Sequence, residues 1–229
     1  MIVIHHIEGR RSERVVWLLE ELGGIPYKLE FKTGDVMGSL LQLEPVHEMR
    51  MAPIVVDGDL TIIESGAILE WLLARYGKDS LLRPREGTEE HARYLEFMHF
   101  AEGTAMARIM LEVTLGRVGA KDPMPPLPGL AASRTQTERV MYFADNVLGT
   151  RRYFAGDSFT PADIMMHFPL KIGVAVAAKI PLAIGDLYKT DLPHADRFPN
   201  VKRWLLDVMG RPAWKRTVEG TLPVGPPPF

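Results

Sequence analysis

The sequence predicts an α/β domain at the N-terminal end followed by an all-α domain. Three observations predict this. Four short β-prone runs, at residues 2–5, 27–31, 54–56 and 60–63, all precede residue 64. Apolar residues at helical spacing alternate with those runs: Val15, Leu18, Leu19 and Leu22 after the first, and Leu69, Leu72, Leu73 and Tyr76 after the last. Beyond residue 87 the β pattern disappears and only helical periodicity is left. A chain of 229 residues that is 46% hydrophobic can bury two modest cores without disulfides or metal. The predicted division is 1–78 for the first domain, 79–87 for a linker carrying Pro84 and Arg85, and 88–229 for the helical domain.

Each element has its own reason. Gly23-Gly24 and Pro26 end the first helix. Tyr27 to Phe31 alternates weakly and reads as a strand, and a short helix over 38–43 precedes the next. Asp57-Gly58-Asp59 is a turn signal that folds 54–56 and 60–63 into a hairpin. Pro53 cannot donate to a ladder, so it marks an edge, a turn or a cis peptide. The order is β-α-β-α-β-β-α, a parallel unit plus a hairpin in an α/β layer. In the second domain, Tyr94, Phe97, Met98, Ala101, Met106, Ile109, Met110 and Val113 predict one long helix. A proline-rich loop spans 121–129, and Val140, Phe143, Ala144 and Val147 mark the next helix. Thr160-Pro161-Ala162-Asp163 is a helix start with an N-cap, a proline at the first position and an acidic capping partner. The apolar run 171–184 continues that core, Val201, Trp204, Leu205 and Val208 define a further helix, Gly210-Arg-Pro-Ala-Trp opens a short final one, and the tail from Leu222 is extended.

Composition excludes several classes. A net charge of −2 with no block of like charge gives no footprint for nucleic acid or an anionic membrane, and no apolar run reaches membrane-spanning length. The N-terminal residues are too polar for a signal peptide, so the expected location is cytoplasmic. There is no cysteine, so a thiol used in catalysis must arrive with a ligand. His5-His6 has no third ligand at a regular spacing, and no metal site is expected. At Glu64-Ser65 a carboxylate, a hydroxyl and the free N–H groups of a helix start converge. That combination suits a ligand carrying both an amine and a carboxylate; the alternative is a capped structural hairpin.

The run from Ala52-Pro53 through Asp57-Gly58 to Glu64-Ser65 resembles the glutathione transferase family, and the likeness extends from about residue 2 to about residue 219. It implies a thioredoxin-like N-terminal domain and a helical-bundle C-terminal domain. It further implies a cis Pro53, backbone pairing of Ala52 with glutathione, and Glu64 and Ser65 holding the γ-glutamyl end. Arg50 and Arg11 are further candidate glutathione contacts. The residue that stabilises the thiolate belongs in the turn Glu8-Gly-Arg-Arg-Ser-Glu-Arg. Many bacterial relatives read Asn-Asn-Ser-Arg-Ser-Gln-Arg there, which sets Arg10 in place of the usual hydroxyl residue and leaves Ser12 at the second serine. Two readings stay open: Arg10 stabilises the thiolate as a cation with Ser12 or helix N–H groups donating, or the site binds glutathione and activates it poorly. Ser12 could equally cap a helix, and Arg10, Arg11 and Arg14 could form a solvated basic face.

A second departure is the loop Glu44-Pro-Val-His-Glu-Met-Arg-Met, about three residues longer than in relatives, with Met51 in the slot of a basic residue and Arg50 or His47 nearby to replace it. The resemblance places the second substrate between the domains, with Met106, Ile109 and Met110 as lining candidates; methionines at helical spacing are otherwise plain core. Glu102 is a weaker candidate for the γ-glutamyl amine. The implied activity is attack by glutathione thiolate on an electrophilic apolar molecule, as conjugation, peroxide reduction or ether cleavage, in a cytoplasmic homodimer. The alternative is a non-catalytic binding or interaction protein of the same fold.

Overall fold

A computed structural model describes residues 1–78, 80–120, 135–179 and 195–221. The chain forms two compact units, one holding Met1–Pro84 and the final helix, the other beginning at Arg85. In the first, β1 (Ile2–His5), α1 (Glu13–Leu22) and β2 (Tyr27–Glu30) make a parallel unit. Helix α2 (Val36–Leu41) leads to the hairpin of β3 (Ile54–Asp57) and β4 (Leu60–Ile62), and α3 (Ser65–Tyr76) follows. The sheet order is β2-β1-β3-β4, with β3 antiparallel to both its neighbours; Ile4 faces Val55, and Val55 faces Ile62. Gly58, at φ 66°, supplies the positive φ that the two-residue turn needs. Helix α2 starts earlier than its apolar pattern predicts, because the Asp35 carboxylate accepts the Gly38 N–H at 2.7 Å and caps it.

Val15, Val16, Leu18 and Leu19 of α1 and Ile68, Leu69 and Leu72 of α3 are buried with Ile2, Ile4, Ile54 and Val55 of the sheet. The final helix, α9 (Pro212–Thr221), packs on α1. Trp214 lies 4.6 Å from Trp17 between ring centroids. Arg211 holds Glu21 with two bonds of 2.6 and 2.8 Å, and Arg216 holds Glu20 at 2.6 Å. The expected helical domain of 88–229 includes this last helix, whose buried Ala213, Trp214, Thr217 and Thr221 lie in the first unit.

The second unit contains α4 (Glu89–Phe100), a π-helical stretch (Ala101–Met106), α5 (Ala107–Arg117), α6 (Gln136–Thr150), α7 (Pro161–Ala177) and most of α8 (Pro199–Met209). The long helix predicted through Val113 thus carries a π-helical interruption, which an apolar repeat does not reveal. Helix α7 is buried nearly all round, and Thr160, Pro161 and Asp163 start it as expected. The loop at 121–129, the part of the 171–184 run beyond residue 179, and the tail from Leu222 lie outside the described residues. Among the described residues no helix is long and apolar enough to cross a membrane, and no group of three or more His, Cys, Asp or Glu is placed to hold a metal.

Candidate functional site

The turn between β1 and α1 is pinned from inside. Its glycine, Gly9, has φ 65°, and its N–H donates to the Glu13 carboxylate at 3.0 Å. The Glu8 carboxylate takes the Gly34 N–H with both oxygens, at 3.0 and 3.1 Å. Ser12 is fully buried. Its oxygen accepts the Ile7 N–H at 3.1 Å and lies 2.8 Å from His6 Nδ1 and 3.2 Å from the Ile7 carbonyl. The Ser12 hydroxyl thus has its partners in Ile7 and His6. Arg10 is the exposed side chain of the turn; its Nη1 donates to the Gly9 carbonyl at 3.1 Å. Arg11 is half-buried beside it.

The start of α3 is built differently. The Ala52–Pro53 peptide is cis, and β3 begins immediately after it. Glu64 is exposed, with φ 69° and ψ 106°, a conformation an L-residue seldom adopts. No side chain caps the helix there. Ser65, 4% exposed, accepts a 2.9 Å bond from Arg14 Nη1 through its hydroxyl. Helix N–H groups and the Arg14 cation thus favour an anion at this point, while Glu64 favours a cation beside it. Arg14 is only 3% exposed, so the solvated basic face expected of Arg10, Arg11 and Arg14 does not include it. The sequence held a signal: Arg14 stands three and four residues before Trp17 and Leu18, on the buried face of α1.

One apolar cluster holds these segments in register. Ile7 from the turn, Leu43 after α2 and Ile54 of β3 are buried together, and Val36, Leu40, Val46, Ala52 and Ile63 pack against them. The turn after β1, the loop before Pro53 and the segment leading into α3 therefore each contribute an anchor to the same core. The loop before Ala52 is more self-contained. Arg50, at φ 48°, pairs with Glu44 at 2.6 Å, both well exposed, and His47 Nδ1 accepts the Met49 N–H at 3.2 Å. Both basic candidates of that loop thus have partners within it. Met51, expected in the basic slot, is exposed.

The helical candidates separate by burial. Met106 and Ile109 are core, and Ile109 lies against Gly173 of α7, where an added Cβ would meet its Cδ1 at 3.4 Å. Packing uses their side chains, whereas Met110, 38% exposed, keeps surface to offer. Glu102 is half-buried within the π-helical stretch.

Comparison with known proteins gives the same fold. The glutathione S-transferase N-terminal domain pattern matches residues 1–74 and the C-terminal domain pattern matches 127–212. Glutathione S-transferase 3 of Schizosaccharomyces pombe is 32% identical over 231 residues, covering 96% of this chain and 87% of the relative. Glutathione S-transferase 1 of Triticum aestivum is 30% identical, covering 89% and 86%. Among solved structures, a glutathione S-transferase of Actinobacillus pleuropneumoniae superposes with a TM-score of 0.74 at 23% identity, covering 96% and 93%. A Phanerochaete chrysosporium glutathione transferase in complex with oxidised glutathione gives 0.69 at 21%, covering 96% of each chain.

Proposed function

The chain belongs to the glutathione S-transferase family, and from that premise we propose that it binds glutathione and uses the thiolate to attack an electrophilic apolar substrate. The observation that carries this reading is the start of α3. Glutathione's γ-glutamyl end bears an α-carboxylate and an α-amine. The carboxylate suits the helix N–H groups and the Ser65 hydroxyl, with Arg14 behind it; the amine suits Glu64. The Ala52 backbone, ahead of the cis Pro53, pairs with the middle of the tripeptide. Met110, with its exposed surface, is kept as a contact for the second substrate. Conjugation, peroxide reduction and ether cleavage all begin from the same thiolate. A cytoplasmic homodimer, which the resemblance of the sequence implies, is part of the proposal.

A free thiol has a pKa near 8.5, and bringing it down to about 6.5 needs roughly 2.7 kcal/mol of preference for the thiolate. A cation about 4 Å away supplies about 1 kcal/mol in water-like surroundings and about 4 at an effective dielectric of 20. Arg10 is the cation of the turn that remains at the surface, so we assign the thiolate to it rather than to Ser12. The second reading, a protein that holds glutathione without activating it, is favoured by one observation, the bonding of the Ser12 hydroxyl to Ile7 and His6. Calorimetric titration with glutathione tests the site: Glu64→Ala should weaken binding at least tenfold while the protein stays folded. Unchanged affinity would remove the start of α3 from the function.

A further inference from the structure

His6 follows β1 directly, and its backbone N–H continues the β1–β2 pairing by donating to the Glu30 carbonyl at 3.0 Å. Its ring is fully buried, edge-on to Phe31 with centroids 4.9 Å apart. The ring nitrogens face different partners. Nε2 lies 3.4 Å from the Thr221 carbonyl, in the last residue of α9. A carbonyl can only accept, so Nε2 carries the proton and Nδ1 is left as an acceptor. The group at Nδ1, 2.8 Å away, is the Ser12 hydroxyl, which therefore donates to it. The Ser12 oxygen in turn accepts the Ile7 N–H. The bonds run one way: Ile7 N–H to Ser12, Ser12 to His6, His6 to Thr221. Chains of this kind reinforce each member. Burial keeps the ring neutral, lowering its pKa to about 4. The far end is fixed, because Arg211, Arg216 and Trp214 hold α9 on α1.

This chain closes the turn at both ends, across Glu8, Gly9, Arg10 and Arg11. We propose that His6 is a positioning residue for the glutathione reaction: its Nδ1, kept an acceptor because the Thr221 carbonyl takes the proton at Nε2, fixes Ser12 and so the turn that presents Arg10. The proposal rests on the reading above, in which Arg10 faces the thiolate. It also assigns Ser12 a role beyond accepting the Ile7 N–H: an alanine there would nearly keep the volume and lose the clasp. A purely structural His6 would contribute stability and nothing else.

Side-chain replacements separate the two. An asparagine at this position keeps an acceptor where Nδ1 stands and loses the reach to Thr221. A glutamine keeps the reach of Nε2 and loses the acceptor. The experiment measures amide hydrogen exchange at Gly9, Arg10 and Arg11 in His6→Asn, His6→Gln and Ser12→Ala, together with the thiol pKa of bound glutathione and the dissociation constant. His6→Gln and Ser12→Ala should each speed exchange at those amides at least tenfold and raise the bound thiol pKa toward that of the free tripeptide. Affinity at pH 5, where the thiol is protonated both free and bound, should change less than threefold, because the start of α3 is untouched. His6→Asn should stay near wild type in both. The double change His6→Gln with Ser12→Ala should add little to either single one. Equal loss in the asparagine and glutamine variants, or a fall in melting temperature with exchange and thiol pKa unmoved, would overturn the proposal. The exchange readout needs no ligand. A wild-type protein that fails to bind glutathione would therefore defeat the functional reading, while exchange at the turn would still decide whether His6 holds it.

Discussion

Two of the helix starts that carry buried polar groups, those of α7 and α3, are finished in opposite ways. At α7 the Asp163 carboxylate is fully buried and accepts four donors: the Phe154 N–H at 3.1 Å, the Thr160 N–H at 3.0 Å, the Thr160 hydroxyl at 3.2 Å and the Trp204 indole at 2.9 Å. Nothing is left for a ligand to do. At α3 the flanking residue, Glu64, is exposed, takes an unfavourable φ and makes no cap. Its neighbour Ser65 is buried but tied to a cation, Arg14. A helix start that serves folding satisfies its own groups; under the proposed function the start of α3 would instead offer its N–H groups to the ligand, at the cost of the strained Glu64 backbone. The two starts therefore should respond to change with different signs.

The largest effect is expected at the closed start. Asp163→Ala leaves four donors without their acceptor in a dry core and should cost roughly 3–5 kcal/mol of stability, read as a lower denaturant midpoint. Glutathione affinity in the folded fraction should not change. A loss below about 1 kcal/mol would mean that water replaces the carboxylate, and the contrast between the two starts would weaken.

The next effect is in pH. Burial lowers the His6 pKa from 6.5 to about 4, where the ring meets Ser12, Phe31 and the Thr221 carbonyl. The folded state therefore binds its proton later than the unfolded state. Its contribution is complete above pH 6.5 and falls away as pH drops toward 4. Asp163 behaves oppositely. Burial, working against its four donors, raises it from 3.8 to about 6, so its contribution is complete below 3.8 and lost as pH rises through 6. Each amounts to about 3 kcal/mol at most. Hydrogen exchange between pH 4 and 6.5, corrected for intrinsic rates, should show protection of β1 falling on acidification and protection of α7 rising. Slopes of the same sign in both units would contradict this.

At the open start the effects are smaller and split stability from function. Glu64→Gly removes the backbone strain and should raise stability by about 1 kcal/mol, while glutathione affinity falls at least tenfold, about 1.4 kcal/mol. A gain in both, or a loss in both, would show that Glu64 is not held for a ligand. Ser65→Ala removes one hydrogen bond to a buried cation and should cost about 1 kcal/mol in stability, with a severalfold loss of affinity in the same titration.

Much of this was legible in the sequence, and the exceptions share a cause. The order and type of the first seven elements follow from period and turn chemistry, because apolar spacing and residues such as Gly58 act locally. Thr160 and Asp163 are three residues apart, so their capping could be read directly. The bonding of the Ser12 hydroxyl could not, since it depends on His6 and, through it, on Thr221 at the far end of the chain. The bond from Arg14 to Ser65 joins residues 51 apart in sequence, and only the packing of α1 on α3 brings them together. Met106 and Ile109 show the limit of a periodic pattern: it places them on the buried face of a helix and says nothing about what covers that face. The assignment of α9 to the first unit was hidden for the same reason, since its Trp214 finds its partner, Trp17, 197 positions earlier.

The central claim is that the open helix start holds glutathione and the turn lowers its thiol pKa. The most direct test follows heat of binding and thiolate absorbance together while glutathione is titrated from pH 5 to 9, in the unaltered protein and in Arg10→Ala. The account predicts saturable binding with a thiol pKa about two below that of the free tripeptide, and a return most of the way to the free value in Arg10→Ala, with affinity nearly kept at pH 5 and falling progressively behind the unaltered protein as pH rises. Binding with no lowering of the thiol pKa, or no binding at all, would contradict it.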